Sequence, residues 1–162
     1  MNPRAALFAA LLLASFAALA ANIFLQERSP ASGRYAILED DGKTAFLYLT
    51  EPNALKPIRD AVVYSRVAPV SKVDWERIKT TGDTPQLPAD LAGPSAVILS
   101  PKASRFKLKW SRDGQSVAVL LDGSPMAMAT MNEKIGYSKA VKKDSPLGRV
   151  WDQQRYQALF VK

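Results

Sequence analysis

From Arg34 onward, apolar and polar positions alternate in short runs broken by Gly, Pro and Asp, a rhythm that predicts strands and turns. Residues 34–39 form one strand-like run, the polar turn Asp40-Asp41-Gly42-Lys43 follows, and residues 44–50 (TAFLYLT) predict the return strand of a hairpin. Asp-Gly suits that turn because Gly adopts the positive φ it requires. Residues 61–67 (AVVYSRV) read as a third strand after a loop bracketed by Pro52 and Pro57. Between residues 68 and 104 the chain carries Pro69, Pro85, Pro88, Pro94 and Pro101, so this stretch is loop-rich. It has room for a helical turn at 73–79 and a strand at 95–99.

The strictest alternation is at residues 105–111. Phe106, Leu108 and Trp110 fall on one face of a strand, and Arg105, Lys107 and Lys109 on the other. Asp113-Gly114 turns the chain into residues 116–121, and Asp122-Gly123-Ser124-Pro125 turns it again into 126–131, a three-strand meander. At the C-terminus the period changes. Asp144 or Ser145 is placed to cap a helix with Pro146 in its first turn, and Leu147, Val150, Trp151, Gln154 and Ala158 share a helical face. A helix over 146–160 is expected, with Trp151 and Leu159 as its main packing residues, although a strand at 157–161 also fits. The expected fold is mainly β (a β-rich α+β domain): an antiparallel meander and hairpin sheet with a C-terminal helix, preceded by an N-terminal hydrophobic helix.

Residues 5–25 contain no charge; Arg4 precedes them, and Glu27 and Arg28 follow. A basic start, an apolar stretch and the small residues Ala18-Leu19-Ala20 describe a signal peptide. A run of this length also matches a membrane-spanning helix. Both readings place the rest of the chain outside the cytoplasm, either released into the periplasm or medium or anchored by one pass with its N-terminus inside. The expected division is 1–25 signal peptide or signal anchor, 26–33 tether and 34–162 a single extracytoplasmic domain.

Composition narrows the chemistry. The 162 residues include no Cys and no His, so no thiol nucleophile, imidazole base, disulfide frame or ordinary zinc, haem or iron–sulfur site is available. No cofactor is expected. The 22 Lys+Arg against 15 Asp+Glu give a formal charge of +7, of which +6 remains in residues 21–162.

Asp41-Gly42-Lys43-Thr44-Ala45-Phe46-Leu47-Tyr48-Leu49 overlays Asp113-Gly114-Gln115-Ser116-Val117-Ala118-Val119-Leu120-Leu121 as a weak internal repeat, which generic hairpin chemistry also produces. Glu39-Asp40-Asp41-Gly42-x-Thr44, Trp110-Ser111-x-Asp113-Gly114 and Leu120-Leu121-Asp122-Gly123-x-Pro125-x-Ala127 resemble the motifs of a bacterial family of small proteins with a domain of unknown function. The resemblance spans about residues 34 to 140 and implies a hairpin-built fold without implying an activity. Where that pattern has an aromatic and an Asp after the last strand, this chain has Thr130-Met131-Asn132, and no acidic site carries over.

Among chemically suggestive groups, Glu39, Asp40 and Asp41 offer oxygen ligands for calcium, but no regularly spaced ligand loop follows and a polar turn explains them. Ser104-x-x-Lys107 has the spacing of a Ser–Lys nucleophile pair but lies at the start of a strand, which points the two side chains apart. Arg105, Lys107 and Lys109, ~6.6 Å apart along one strand face, form with Arg112 a surface suited to an anionic partner. Trp75 is the tryptophan expected to be exposed. These features point to a non-catalytic binding domain of the bacterial envelope, with an acidic envelope protein as partner in the manner of an inhibitor or immunity protein. The alternatives are an accessory protein resting on anionic lipid and an envelope hydrolase. Nucleic acid is not an expected ligand of an exported domain.

Overall fold

A computed structural model describes residues 22–161. Strands β1 (Phe24–Arg28), β2 (Tyr35–Asp40), β3 (Thr44–Thr50) and β4 (Pro57–Ser65) form one antiparallel sheet in chain order. A second sheet follows, of β5 (Phe106–Trp110), β6 (Ser116–Leu121), β7 (Ser124–Thr130), β8 (Tyr137–Ser138) and β9 (Arg149–Val150), antiparallel except for the final pair. Helix α1 (Trp75–Thr81) lies in the loop-rich middle and α2 (Gln153–Phe160) at the C-terminus. The chain is thus β-rich with minor helix.

Turn chemistry explains the hairpins. Asp41 Oδ1 accepts the N–H groups of Lys43 (2.8 Å) and Thr44 (2.9 Å), while Gly42 takes φ +93°. Asp113 Oδ1 does the same work between β5 and β6, accepting from Gln115 N–H (3.0 Å) and the Ser111 hydroxyl (2.7 Å), with Gly114 at φ +67°. The internal repeat of the sequence therefore falls on equivalent parts of the two sheets, each built on a three-strand meander.

The sheets stack through their alternate residues. Ala36, Leu38, Leu47, Leu49, Ala61 and Val63 of the first face Phe106, Val117, Val119, Ala127 and Ala129 of the second. Two seams fix the stacking. At the turns, Ser32 Oγ donates to Gly114 O (2.7 Å) and Arg34 Nε to Gln115 Oε1 (3.0 Å). Along β4, Asp60 O accepts from Gly136 N (2.8 Å), and Val62 N donates to Leu147 O (2.9 Å). The β3–β4 register shifts between Ala45 and Phe46, so Tyr64 faces Ala45 and Val62 faces Phe46, with Val63 as the extra residue. That bulge turns Tyr64 inward, where it stacks on Phe106 at 5.4 Å and donates its hydroxyl to Asp40 Oδ2 (2.5 Å). Arg66 Nε reaches the same oxygen at 2.7 Å. The outer face of the first sheet is covered by loop residues Leu87, Ala96, Val141 and Leu147 against Phe46 and Val62. Helix α2 covers the outer face of the second.

Several expectations are corrected. The C-terminal helix starts at Gln153, not 146, because Asp152 supplies the cap, its Oδ1 accepting from Arg155 N–H at 2.9 Å. Residues 145–148 form a tight turn, and Asp144 instead accepts from Val150 N–H, which places Arg149–Val150 in a short strand. Residues 24–28 pair with β2 as an edge strand, so the tether expected over 26–33 is a strand and a turn, with Ser29 buried. The strand expected at 95–99 is reduced to a single bridge, Ser65 to Val97, and β4 begins four residues earlier than the third strand read from the sequence. The hydrophobic helix expected at the N-terminus lies outside the described residues up to Ala21; no helix among the described residues is long and apolar enough to cross a membrane.

Candidate functional site

The outer face of the second sheet is laid out by its register. Lys109, Ala118, Met128, Tyr137 and Arg149 are successive cross-strand partners and form one row across all five strands. Small Ala118 and unbranched Met128 leave space above the middle of that row. Helix α2 fills it with Tyr156 and Phe160, an i, i+4 pair whose rings stack at 5.2 Å. Trp151 meets Tyr156 with its ring tilted, 5.4 Å between centres. The result is an aromatic strip in which Tyr137, Tyr156 and Phe160 are buried and Trp151 is half-buried, with cations along its borders.

Those cations are held by ring faces. Lys109 Nζ lies 5.9 Å from the Tyr156 ring centre and Lys139 Nζ 5.2 Å from that of Trp151. The Arg149 and Arg155 guanidinium groups lie 4.8 and 5.4 Å from the ring of Tyr137. Glu133 organises the arginines, accepting from Arg149 Nη1 (3.0 Å) and pairing with Arg155 Nη2 (3.2 Å). The Tyr137 hydroxyl is raised above its ordinary range, chiefly because it is buried; the two arginines oppose that shift without cancelling it. It remains a protonated hydrogen-bonding group at neutral pH, unsuited to act as a nucleophile.

Charge concentrates in the same part of the sequence. Residues 102–162 hold 12 Lys+Arg against 5 Asp+Glu, whereas residues 1–101 hold ten of each, so the entire excess belongs to the segment that builds the second sheet and α2. At the β5 end, Trp110, Ser111 and Arg112 face Leu159 and Phe160 across an open cleft of about 750 Å³. Arg112 is exposed beside these apolar walls and makes no ion pair among the described residues.

The residues singled out from the sequence separate here. Lys107 and Lys109 do share the outer face of β5, and Arg112 stands in the turn beyond it. Arg105 does not complete the ladder: residues Ala103–Arg105 form a 3₁₀ turn, and its guanidinium pairs with Asp122 across the hairpin. That pairing, first through the hydrogen bond and then through charge, holds the Asp122 carboxyl below its usual range. Trp75 opens α1 with 46% of its surface exposed, and it belongs to a different region. There Asp74 and Arg77 line a cavity of about 440 Å³ together with Asp41 and Lys43. The three neighbouring carboxylates also divide: Glu39 is exposed, Asp40 is buried against Arg66, and Asp41 holds the turn. Ser104 sits in the 3₁₀ turn, ahead of the strand that carries Lys107.

The sequence reading missed Tyr137, Arg149, Arg155, Tyr156 and Phe160. A signal for the last two was present, since Asp152 is a residue type that caps helices and Tyr156 and Phe160, spaced one turn apart, follow it. Nothing local announces that Tyr137 and Arg149 join them, because that follows from the pairing of two-residue strands. No protein-family model, no curated protein and no solved structure matches this chain.

Proposed function

We propose that the protein is a binding domain of the bacterial envelope, exported or membrane-anchored through its N-terminal segment, and that it acts by docking an acidic protein partner, in the manner of an inhibitor or immunity protein. The observation that carries this reading is the surface that helix α2 and the outer face of the second sheet form together, where exposed Lys107 and Arg112 and half-buried Lys109, Lys139, Arg149 and Arg155 stand beside half-buried Trp110, Trp151 and Leu159. Aromatic and Arg side chains on a firm support are the groups that dominate protein interfaces, and clustered cations steer an acidic partner toward them. The fixed geometry of the strip favours recognition over chemistry. Ser111, a hydroxyl beside a carboxylate, is committed to its turn through Asp113 and Ser116.

The test is affinity capture from an envelope extract with residues 21–162 as bait, beside the variant Lys107→Glu/Lys109→Glu/Arg112→Glu. One stoichiometric acidic protein, held in moderate salt and lost with the triple change, is the expected result. Equal capture by both baits refutes the assignment of this face. Sedimentation of the same pair with phosphatidylglycerol vesicles is the second arm. Salt-sensitive lipid binding without a captured protein replaces the partner by the membrane surface.

A further inference from the structure

The fold takes residues away from the N-terminal apolar run, and this bears on how the run is used. Ile23 is only 3% exposed within the core between the sheets, and its carbonyl accepts the Asp40 N–H at 2.8 Å. Phe24 and Leu25 pair with Glu39 and Leu38 as the start of β1. These residues cannot lie in a bilayer while the domain is folded. The apolar run outside the fold is therefore residues 5–21, 17 in number and nine of them Ala. As a helix, at ~1.5 Å per residue, such a run would reach about 25 Å, the lower limit for crossing a hydrocarbon core of ~30 Å. The residues lost to the fold, Ile23, Phe24 and Leu25, are among the most membrane-favouring of the original run.

The same subtraction improves the match to a processing signal. Arg4 supplies the basic start, residues 5–17 an apolar stretch within the 7–15 residues typical of export signals, and Ala18-Leu19-Ala20 the small-residue site. Only Ala21 and the exposed Asn22 separate that site from the first core residue. We infer that the chain carries a processing site at the Ala20–Ala21 bond, cut by an envelope signal peptidase, and that the working protein is the released domain beginning at Ala21. Water adds across that amide, leaving a carboxylate on Ala20 and a free amine on Ala21. The cut spares every residue of β1, so the domain loses no part of its sheet. This fixes the fate of the N-terminal segment and is independent of which surface binds a partner.

The test is expression of the full chain with a C-terminal epitope in a Gram-negative host, followed by osmotic-shock fractionation and intact mass measurement. The expected product is soluble, periplasmic and begins at Ala21. The variant Ala20→Leu is expected to remain uncut in the membrane fraction, with more than a tenfold loss of the released form. Full-length wild-type chain in the membrane overturns the inference in favour of an anchor. Full-length chain in the cytoplasm overturns it together with export. An N-terminus elsewhere than Ala21 overturns the site.

Discussion

The buried pair Asp40–Arg66 is where a single change in charge tests the packing account most sharply. The two side chains are 0% and 4% exposed, and Asp40 also accepts the Tyr64 hydroxyl and the Gly42 N–H. Asp40→Asn keeps the shape and removes the carboxylate that balances the guanidinium. Breaking one side of a buried ion pair costs about 3–5 kcal/mol, and for a domain of this size that lowers Tm by roughly 10–20 °C. Tyr64→Phe, which deletes one hydrogen bond and keeps the ring on Phe106, should cost only about 1 kcal/mol. The double change Asp40→Leu/Arg66→Met should return most of the loss, because two apolar groups need no mutual compensation. Urea denaturation of wild type, the single variants Asp40→Leu and Arg66→Met, and the double variant closes the cycle, with Asp40→Asn measured beside it. A loss below about 1 kcal/mol for Asp40→Asn, with an unchanged m value, refutes the claim that this pair holds the β2–β4 end together.

Three further outcomes follow from local geometry. Burial raises the Asp60 carboxyl above its ordinary value, and no hydrogen bond or ion pair of its side chain is found among the described residues, so ionised Asp60 weakens the fold. Stability from this group is complete below the unfolded value of about 3.9 and is lost as pH rises through the raised folded value. Asp60→Asn should therefore raise Tm at pH 7 and lose that advantage below about pH 4. Asp41 is the opposite case. Burial opposes its ionisation, but hydrogen bonds from Thr44, Thr84 and Lys43 outweigh burial and hold the carboxyl below the usual range. Asp41→Ala should cost about 1 kcal/mol at pH 7, and its difference from wild type in urea melts should shrink as pH falls through that lowered value. Gly136 lies at the seam of the two sheets, where an added Cβ would meet Met128 O at 2.4 Å and Asp60 O at 3.0 Å. Gly136→Ala should destabilise by about 1–3 kcal/mol, whereas Gly123→Ala, with open space around it but φ +82°, should cost only about 1 kcal/mol from backbone strain.

The parts of the fold legible in the sequence were those specified within a few residues. Two Asp-Gly turns, the alternation of Phe106, Leu108 and Trp110, and the Val-rich strand after Gly114 each carry their own instruction, and each appears where the pattern put it. The C-terminus was read too long because Pro146 and the helical spacing of Leu147, Val150 and Trp151 imitate a helix start, while the pairing of Arg149 with Tyr137 prevails. Strand β1 was hidden because its first residues continue the apolar run before it and its later ones are charged. The basic face was half legible. Lys107 and Lys109 follow from period two, but Arg105 is drawn off by Asp122. The aromatic strip depends on α2 crossing a sheet whose order no local pattern records.

Site-specific photocrosslinking locates the surface that meets a partner. A photoreactive residue placed at Lys107 on β5 or Gln154 on α2, both exposed, should yield one discrete cross-linked product in the envelope of cells expressing the protein. The same residue at Leu55 or Trp75, exposed elsewhere on the molecule, should yield none. A discrete product at Leu55 or Trp75, with none at Lys107 or Gln154, contradicts the account and moves the docking surface off the second sheet.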